Sequence, residues 1–136
     1  MSAAVDTSAL LTIFKREPGY SEWLDQLAER AAEAPLVACD VVWAEVGGFF
    51  SSLDELEANM ELLNVRFDPI VPSSAYHAGR AFRTYRDKGG PRQHLIPDFL
   101  IGAHARHQAD GLVAVDRGFY RQYFRDLEVI HPNRGD

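Results

Sequence analysis

Short apolar runs alternate along this chain with longer stretches in which apolar residues recur at helical spacing. The apolar runs predict five short strands, at 3–5, 36–39, 65–71, 112–115 and 127–130, the third of which is interrupted by Asp68-Pro69. The longer stretches predict helices at 9–14, 20–34, 41–52, 53–63, 75–86, 97–110 and 119–124. Strands that alternate with helices are typical of a parallel sheet covered on both faces. The pattern therefore predicts an α/β protein, a three-layer α/β/α sandwich with a short, mainly parallel central sheet.

Composition limits the class of protein. A chain of 136 residues with 46% hydrophobic and 25% charged residues is typical of one globular domain, which we expect to span residues 1–136. Cys39 is the single cysteine and lies in an apolar strand, so we expect a buried, unreactive thiol and no disulfide. The sequence shows no signal-peptide pattern and no run long enough to span a membrane, so a cytoplasmic location is expected.

Four acidic residues occupy matching places in the strand-to-helix units. Asp6 follows the first predicted strand and Asp116 the fourth, while Glu45 and Asp98 lie in the early turns of helices. Open parallel sheets bind their ligands in the crevice at the carboxyl ends of the strands. We therefore expect the four carboxylates to lie around one crevice.

A cluster of carboxylate oxygens is suited to Mg²⁺ or Mn²⁺. Such an ion activates water and stabilises charge on a phosphoryl group. Glu45 is the acid most in need of a partner, because its helical neighbours Val42, Trp43 and Val46 are apolar. A metal site formed by these four acids is the hypothesis that the pattern favours.

Each acid also has a purely structural explanation. Asp98 can stabilise the positive end of a helix dipole, Asp116 can serve a turn before Gly118, and Asp6 can cap a helix. Asp40 is better explained as the N-cap of the helix at 41–52 than as a ligand.

Other kinds of site are disfavoured. His104 and His107 fall on the far side of their helix from Asp98, and three further histidines are predicted to lie on the surface, namely His77, His94 and His131. No nucleophile elbow and no glycine-rich phosphate loop is present.

The charge is distributed unevenly. A net charge of −6 argues against nucleic-acid binding, but residues 1–79 carry 4 basic and 13 acidic side chains, whereas residues 80–136 carry 10 and 7. Basic side chains beside an acidic cluster suit a phosphodiester substrate and its metal. The alternative is an ordinary solvated helix face. The arginines proposed to hold the substrate are Arg80, Arg83, Arg86 and Arg117.

Several segments, in this order along the chain, resemble the PIN-domain family and, within it, the VapC-type toxins of bacterial toxin–antitoxin pairs. They are AAVDTSALLTIF, WAEV, IPDFLIGAHA, LVAVDRGFYRQYF and LEVIHP. The resemblance implies a Mg²⁺- or Mn²⁺-dependent endoribonuclease, inhibited by a cognate antitoxin protein and commonly a homodimer. By position, it implies metal binding by Asp6, Glu45, Asp98 and Asp116. A hydroxyl of Thr7 or Ser8 would support the metal or the scissile phosphate.

Two departures from the family pattern concern the second metal position. Ala114 stands where the family often has Thr or Ser, and Gly118 stands where it often has a further acid. These departures leave an alternative open: a non-catalytic module that has the same fold and binds RNA or a protein. A haloacid-dehalogenase-like phosphatase is less favoured, because Ser8 stands where its second aspartate is required.

Overall fold

A computed structural model describes residues 2–91, 94–115 and 118–131 of the chain. Within these residues five parallel strands form one sheet in the order β3-β2-β1-β4-β5. The strands are β1 (Ala3–Val5), β2 (Leu36–Ala38), β3 (Val65–Phe67), β4 (Leu112–Val113) and β5 (Val129–Ile130). The predicted α/β class with a parallel central sheet flanked by helices is therefore confirmed.

The helices follow the strands in the order that the sequence predicted. They are α1 (Thr7–Phe14), α2 (Tyr20–Glu33), α3 (Asp40–Gly47), α4 (Leu53–Leu62), α5 (Pro72–Asp87), α6 (Ile96–Gln108) and α7 (Gly118–Tyr123). No helix of the described residues is both long enough and apolar enough to cross a lipid bilayer.

The order of the strands creates a switch point between β1 and β4. From β1 the chain builds β2 and β3 on one side, then returns to place β4 and β5 on the other. Ala4 of β1 pairs with Val37 on one side and with Leu112 on the other. Parallel sheets open a ligand crevice at such a point, outside the carboxyl ends of the two strands. Asp6 directly follows β1, so it lies at this crevice.

Strand β1 and helix α6 supply much of the buried core at the centre of the sheet. All three residues of β1 are buried, and four apolar residues of α6 are at most 2% exposed, namely Phe99, Ile101, Ala103 and Ala105. Gly102 has no side chain because a Cβ there would overlap the ring of Phe124. Burial of this apolar surface is the main stabilising term, and it holds the residues at the strand ends in place.

Several element boundaries differ from the predicted ones. Helix α3 ends at Gly47 rather than at 52, and β3 stops at Phe67, before Pro69, which cannot donate to a strand ladder. Helix α5 begins at Pro72, a residue favoured in the first turn of a helix. Strands β4 and β5 are shorter than the apolar runs that predicted them. The predicted turn at Arg117-Gly118 lies partly outside the described residues.

Two assignments of single residues were wrong. Cys39, not Asp40, occupies the N-cap position of α3; Asp40 is the first helical residue and its carboxylate accepts a hydrogen bond from Ile70 N at 3.4 Å. His131 is half-buried rather than on the surface, with its ring centroid 5.1 Å from that of Trp23. Cys39 is buried as predicted, and burial raises the pKa of its thiol.

Candidate active site

Asp6 is the buried carboxylate at the switch point. Its backbone is extended, at the N-cap position of α1, but its side chain makes no N-capping hydrogen bond. Instead, Ser8 Oγ donates to Asp6 Oδ2 at 2.7 Å and Tyr120 Oη donates to Asp6 Oδ1 at 3.3 Å. The side chain is thus held from two sides, by α1 and by α7, and is 6% exposed.

The surroundings of Asp6 disfavour its negative charge. Burial is the largest cause that raises its pKa and the nearby charge of Glu45 is a smaller one, so that the pKa moves from the ordinary value of 3.8 to about 6. Hydrogen bonds from Ser8, from the backbone of Thr7 and from Tyr120 lower the pKa but do not offset the burial. Within the described ranges, no lysine or arginine forms an ion pair with Asp6 or Glu45. The negative charge here has no cationic partner among those residues.

Ser8 connects the first strand–helix unit to the end of β4. Besides donating to Asp6, its hydroxyl accepts a hydrogen bond from Val115 N at 3.3 Å. The backbone at Val115 is therefore held against the Asp6 side chain. Asp116 follows immediately in the chain, but it lies outside the described residues, so its predicted role stays a prediction.

Glu45 reaches the same edge of the sheet from α3. Thr7 Oγ1 donates to Glu45 Oε1 at 2.6 Å, a short charge-assisted hydrogen bond that joins α1 to α3. The expectation that Glu45 lies in apolar surroundings was wrong, because its side chain is exposed while Val42 and Val46 of the same helix are buried. The expectation that it needs a partner is met by the hydroxyl of Thr7.

Asp98 lies in the first turn of α6 and has partners of its own. Its Oδ2 accepts hydrogen bonds from Leu95 N at 3.2 Å and from the His94 imidazole, whose Nδ1 is 3.3 Å away. No hydrogen bond or ion pair joins Asp98 to Asp6 or Glu45, and no three metal-binding side chains of the described residues lie close enough together to hold an ion. The structure thus brings together Asp6, Thr7, Ser8 and Glu45, and leaves Asp98 with a separate set of contacts.

The predicted basic surface lies on α5. Arg80, Arg83 and Arg86 are exposed and are spaced to share one face of the helix. Arg83 forms an exposed ion pair with Asp87, its Nε lying 3.2 Å from Oδ2. Next to Arg86, Tyr85 packs against His94, which places this end of α5 beside the start of α6. Arg117 lies outside the described residues.

Two side chains near the acids were missed or misplaced from the sequence. His94 is half-buried and not on the surface as predicted: its ring stacks on that of Phe119 with centroids 3.9 Å apart. Its spacing of four residues from Asp98 was a usable signal. Tyr120, which bonds to Asp6, follows that residue by 114 positions, and nothing in the local pattern indicated the contact. His104, predicted to point away from Asp98, bonds to Asp68 instead.

The groups around Asp6 are chemically suited to a divalent cation. They are carboxylates and hydroxyls, the hard oxygen donors that Mg²⁺ and Mn²⁺ prefer. Two carboxylates whose charges repel, one of them buried, gain stability when a cation is shared between them. Asp6 and Glu45 therefore have the donor chemistry that such an ion requires, and the hydroxyls of Ser8 and Thr7 fix their orientation.

The fold agrees with comparisons with known proteins. A model of the PIN domain matches residues 3–125. The chain is similar in structure to VapBC2 from Rickettsia felis bound to a DNA fragment from its promoter (TM-score 0.72, 15% identity, covering 96% of this chain and 98% of that one). It is likewise similar to VapBC-1 from nontypeable Haemophilus influenzae (TM-score 0.71, 22% identity, covering 98% and 100%).

A third similar structure is that of a single toxin. It is Mycobacterium tuberculosis VapC20, described as a Sarcin-Ricin loop cleaving toxin (TM-score 0.58, 16% identity, covering 93% of this chain and 98% of that one). A comparison with curated protein sequences gives no significant match. The fold defines an α/β domain with an acidic crevice at the switch point of its sheet. The chain belongs to the PIN-domain family, because the family model covers almost all of it.

Proposed function

We propose that this protein, residues 1–136 as one domain, is a Mg²⁺- or Mn²⁺-dependent endoribonuclease that acts as the toxin of a type II toxin–antitoxin pair. The observation that carries the proposal is the buried carboxylate of Asp6 at the switch point, which feels the like charge of Glu45 and has no cationic partner among the described residues. Membership of the PIN-domain family supports the same activity.

The residues would divide the work as follows. Asp6, Asp98 and Asp116 hold the ion, and Glu45 assists. A bound ion would activate water and stabilise the charge that develops on the phosphoryl group. Thr7 orients Glu45, and Ser8 orients Asp6 while fixing the backbone that precedes Asp116.

The arginines proposed to hold the RNA strand are those of α5 and Arg117. Arg80, Arg83 and Arg86 are exposed, and the end of α5 lies beside the start of α6, where Asp98 is located. Exposed arginines can pair with phosphate oxygens without a cost for burying their charge. We therefore propose phosphate contacts on the side of the crevice nearest Asp98.

The expected protein partner is a cognate antitoxin. Structures similar to this chain are VapBC complexes, some with DNA, which supports a partner of the VapB kind. The uncompensated charge of the crevice would accept a basic side chain of that partner, which would compete with the metal. A homodimer and a cytoplasmic location remain parts of this proposal.

The test is cleavage of total cellular RNA by the purified protein, free of antitoxin, with Mg²⁺, with Mn²⁺ and with EDTA. We expect discrete fragments that require metal and that disappear in Asp98→Asn. Asp126→Asn is the matched control, because Asp126 only forms an exposed ion pair with Arg106. Full activity of Asp98→Asn, or activity in EDTA, would refute the assigned metal chemistry.

A non-catalytic module remains the second candidate. Ala114, which replaces a hydroxyl common in the family, is fully buried beside the crevice and cannot hold a metal or a water. If the folded protein binds RNA in EDTA and cleaves none with either metal, this second candidate is correct.

A further inference from the structure

A groove of about 530 Å³ lies beside Asp98, between the loop that joins α5 to α6 and the helix α7. Its wall includes His94, the residue whose imidazole contacts the Asp98 carboxylate. Because His94 both lines the groove and contacts Asp98, a molecule bound in the groove lies next to that carboxylate.

The groove is held in shape without a ligand. Tyr85 Oη donates a hydrogen bond to Pro91 O, and Gly90 N donates to Tyr85 O at 2.9 Å. Gly90 packs so closely on the Tyr85 ring that a Cβ at Gly90 would lie 2.6 Å from it. The turn at Gly89 has φ of 76°, which favours glycine. A preformed groove binds its ligand with a smaller cost in conformational entropy.

Four aromatic residues line the groove, namely Tyr85, His94, Phe119 and Tyr123. Of these, His94 and Tyr123 are half-buried and the other two are buried. The His94 ring is stacked on Phe119, with an interplanar angle of 15°, and Tyr123 packs against Tyr85 with centroids 5.3 Å apart. Their orientation is fixed by this packing. Rigid rings of this kind are stacking surfaces for nucleobases.

The charge of the groove favours a phosphodiester. Lys88 lines it, and none of the described residues that line it is an aspartate or glutamate. Two other cavities do include carboxylates: Glu33, Asp110 and Glu128 in one, Glu57 and Glu61 in the other. Gln122, also exposed in the groove, supplies an amide donor and acceptor for the edge of a base.

We propose that this groove binds one nucleobase of a single-stranded RNA next to the scissile phosphate. The base stacks on Tyr123 and His94, and Lys88 pairs with the phosphate that follows it. This inference rests on the proposed function, because the groove is a substrate subsite only if RNA is cleaved next to Asp98.

The test measures binding of an end-labelled, single-stranded oligoribonucleotide of mixed sequence by fluorescence anisotropy in EDTA. We expect Tyr123→Leu to weaken binding about tenfold, from the loss of one stacked base, and Tyr123→Phe to bind like the unchanged protein. We expect Lys88→Gln to weaken binding several-fold and to reduce the dependence on salt by about one counterion.

A second probe, an oligomer of ribose phosphate without bases, separates stacking from phosphate contact. Tyr123→Leu should not alter its binding, whereas Lys88→Gln should weaken it as before. The matched controls are Tyr76→Leu, since Tyr76 is a 64% exposed tyrosine of α5, and Lys15→Gln, since Lys15 is the other lysine of the chain. Circular dichroism and thermal unfolding show that each variant is folded.

The outcomes separate this inference from the proposed function. If the protein cleaves no RNA but still binds it in a way that depends on Tyr123, the proposed nuclease activity is refuted and the proposed subsite is supported. Metal-dependent cleavage with RNA binding unaffected by Tyr123→Leu and Lys88→Gln would overturn the subsite, leaving the groove to a protein partner. Equal effects of Tyr123→Leu on the two probes would also overturn it, because stacking needs a base.

Discussion

Asp6 and Asp68 each follow a strand of the same sheet, and they differ in the partners that they meet. Asp68, after β3, accepts a hydrogen bond from the buried His104, whose Nε2 lies 2.8 Å away, and another from Gln108 Nε2 at 3.3 Å. Asp6, after β1, meets hydroxyl groups and the like charge of Glu45. Asp68 is paired with nitrogen donors of two side chains, whereas Asp6 keeps a negative charge that two hydroxyls and the backbone of Thr7 stabilise.

An aspartate that follows a strand can therefore have either of two roles, depending on its partners. Asp68 joins the loop after β3 to α6, because Gln108 also donates to Pro69 O and accepts from Val71 N. It is part of the packing between α6 and the edge of the sheet. Asp6 lies at the switch point, where open parallel sheets bind their ligands. We therefore expect Asp6 to serve catalysis and Asp68 to serve stability.

Catalysis should depend on Asp6 and not on Asp68. We expect Asp6→Asn to lower kcat for metal-dependent RNA cleavage roughly hundredfold or more, because a carboxylate that holds the ion is lost. Asp68→Asn, the matched control, keeps an oxygen that can accept from His104 and should stay within about threefold. Equal losses in the two variants would contradict the division of roles.

Stability should depend on the His104–Asp68 pair. His104 is 1% exposed, so His104→Ala opens a cavity and leaves Asp68 without its closest donor. We expect the free energy of unfolding to fall by about 3 kcal/mol, measured by urea denaturation. The exposed His77 is the control, and His77→Ala should change the free energy of unfolding by less than about 0.5 kcal/mol. A similar value for both variants would show that the pair is not structural.

The buried charge of Asp6 should cost stability at neutral pH. Its pKa rises from 3.8 in the unfolded chain to about 6 in the folded protein, which corresponds to a cost of at most about 3 kcal/mol above pH 6. Below about pH 3 the carboxyl is protonated in both states and costs nothing. Between these values the folded state retains a proton that the unfolded chain has released, so stability falls as pH rises.

The measurement is the free energy of unfolding of Asp6→Asn and of the unchanged protein across this range, in EDTA. The stability gained by Asp6→Asn should be near zero at about pH 3 and should grow to its full size by pH 7. Added Mg²⁺ should stabilise the unchanged protein at pH 7 and have little effect on Asp6→Asn, since a ligand stabilises only the state that binds it. A gain that does not vary with pH would show that burial of the charge is not its cause.

The smallest effect is expected at Thr7. Thr7→Val removes the hydroxyl that orients Glu45 but leaves both acids in place. Because the bond is exposed, we expect stability to change by less than about 1 kcal/mol and cleavage to fall only a few-fold. Thr7→Ser keeps the hydroxyl and should cleave like the unchanged protein. A loss as large as that of Asp6→Asn would mean that Thr7 itself holds the metal or the substrate.

Much of the fold was predictable because its signals are local. The run Ala3–Val5 followed by Asp6, and the apolar spacing of the helices, indicated each element and the edge of the sheet at which the acids lie. The error about Glu45 shows the limit of such signals. Its helical neighbours Val42 and Val46 are buried, but Glu45 lies on the exposed side of the helix, which the spacing along the chain did not show.

The contacts of the histidines illustrate the other limit. His104 was predicted to point away from Asp98, and it does bond to another acid, but nothing indicated that this acid is Asp68, 36 positions earlier. His94 was predicted to be on the surface, although it stacks on Phe119 of α7. Periodicity reports which side of an element is buried, and it carries no information about which distant residue covers that side.

The amino-acid sequence by itself determined the α/β class, the order of strands and helices along the chain, and the placing of acids at strand ends. These follow from propensity and from the spacing of apolar residues, which depend on near neighbours alone. Only the tertiary structure decided the position of β1 beside β4, the hydrogen bonds that Asp6 receives from Ser8 and Tyr120, and the raised pKa of Asp6. Burial and electrostatic interaction depend on distances in space, and residues far apart in the chain set those distances only when it folds.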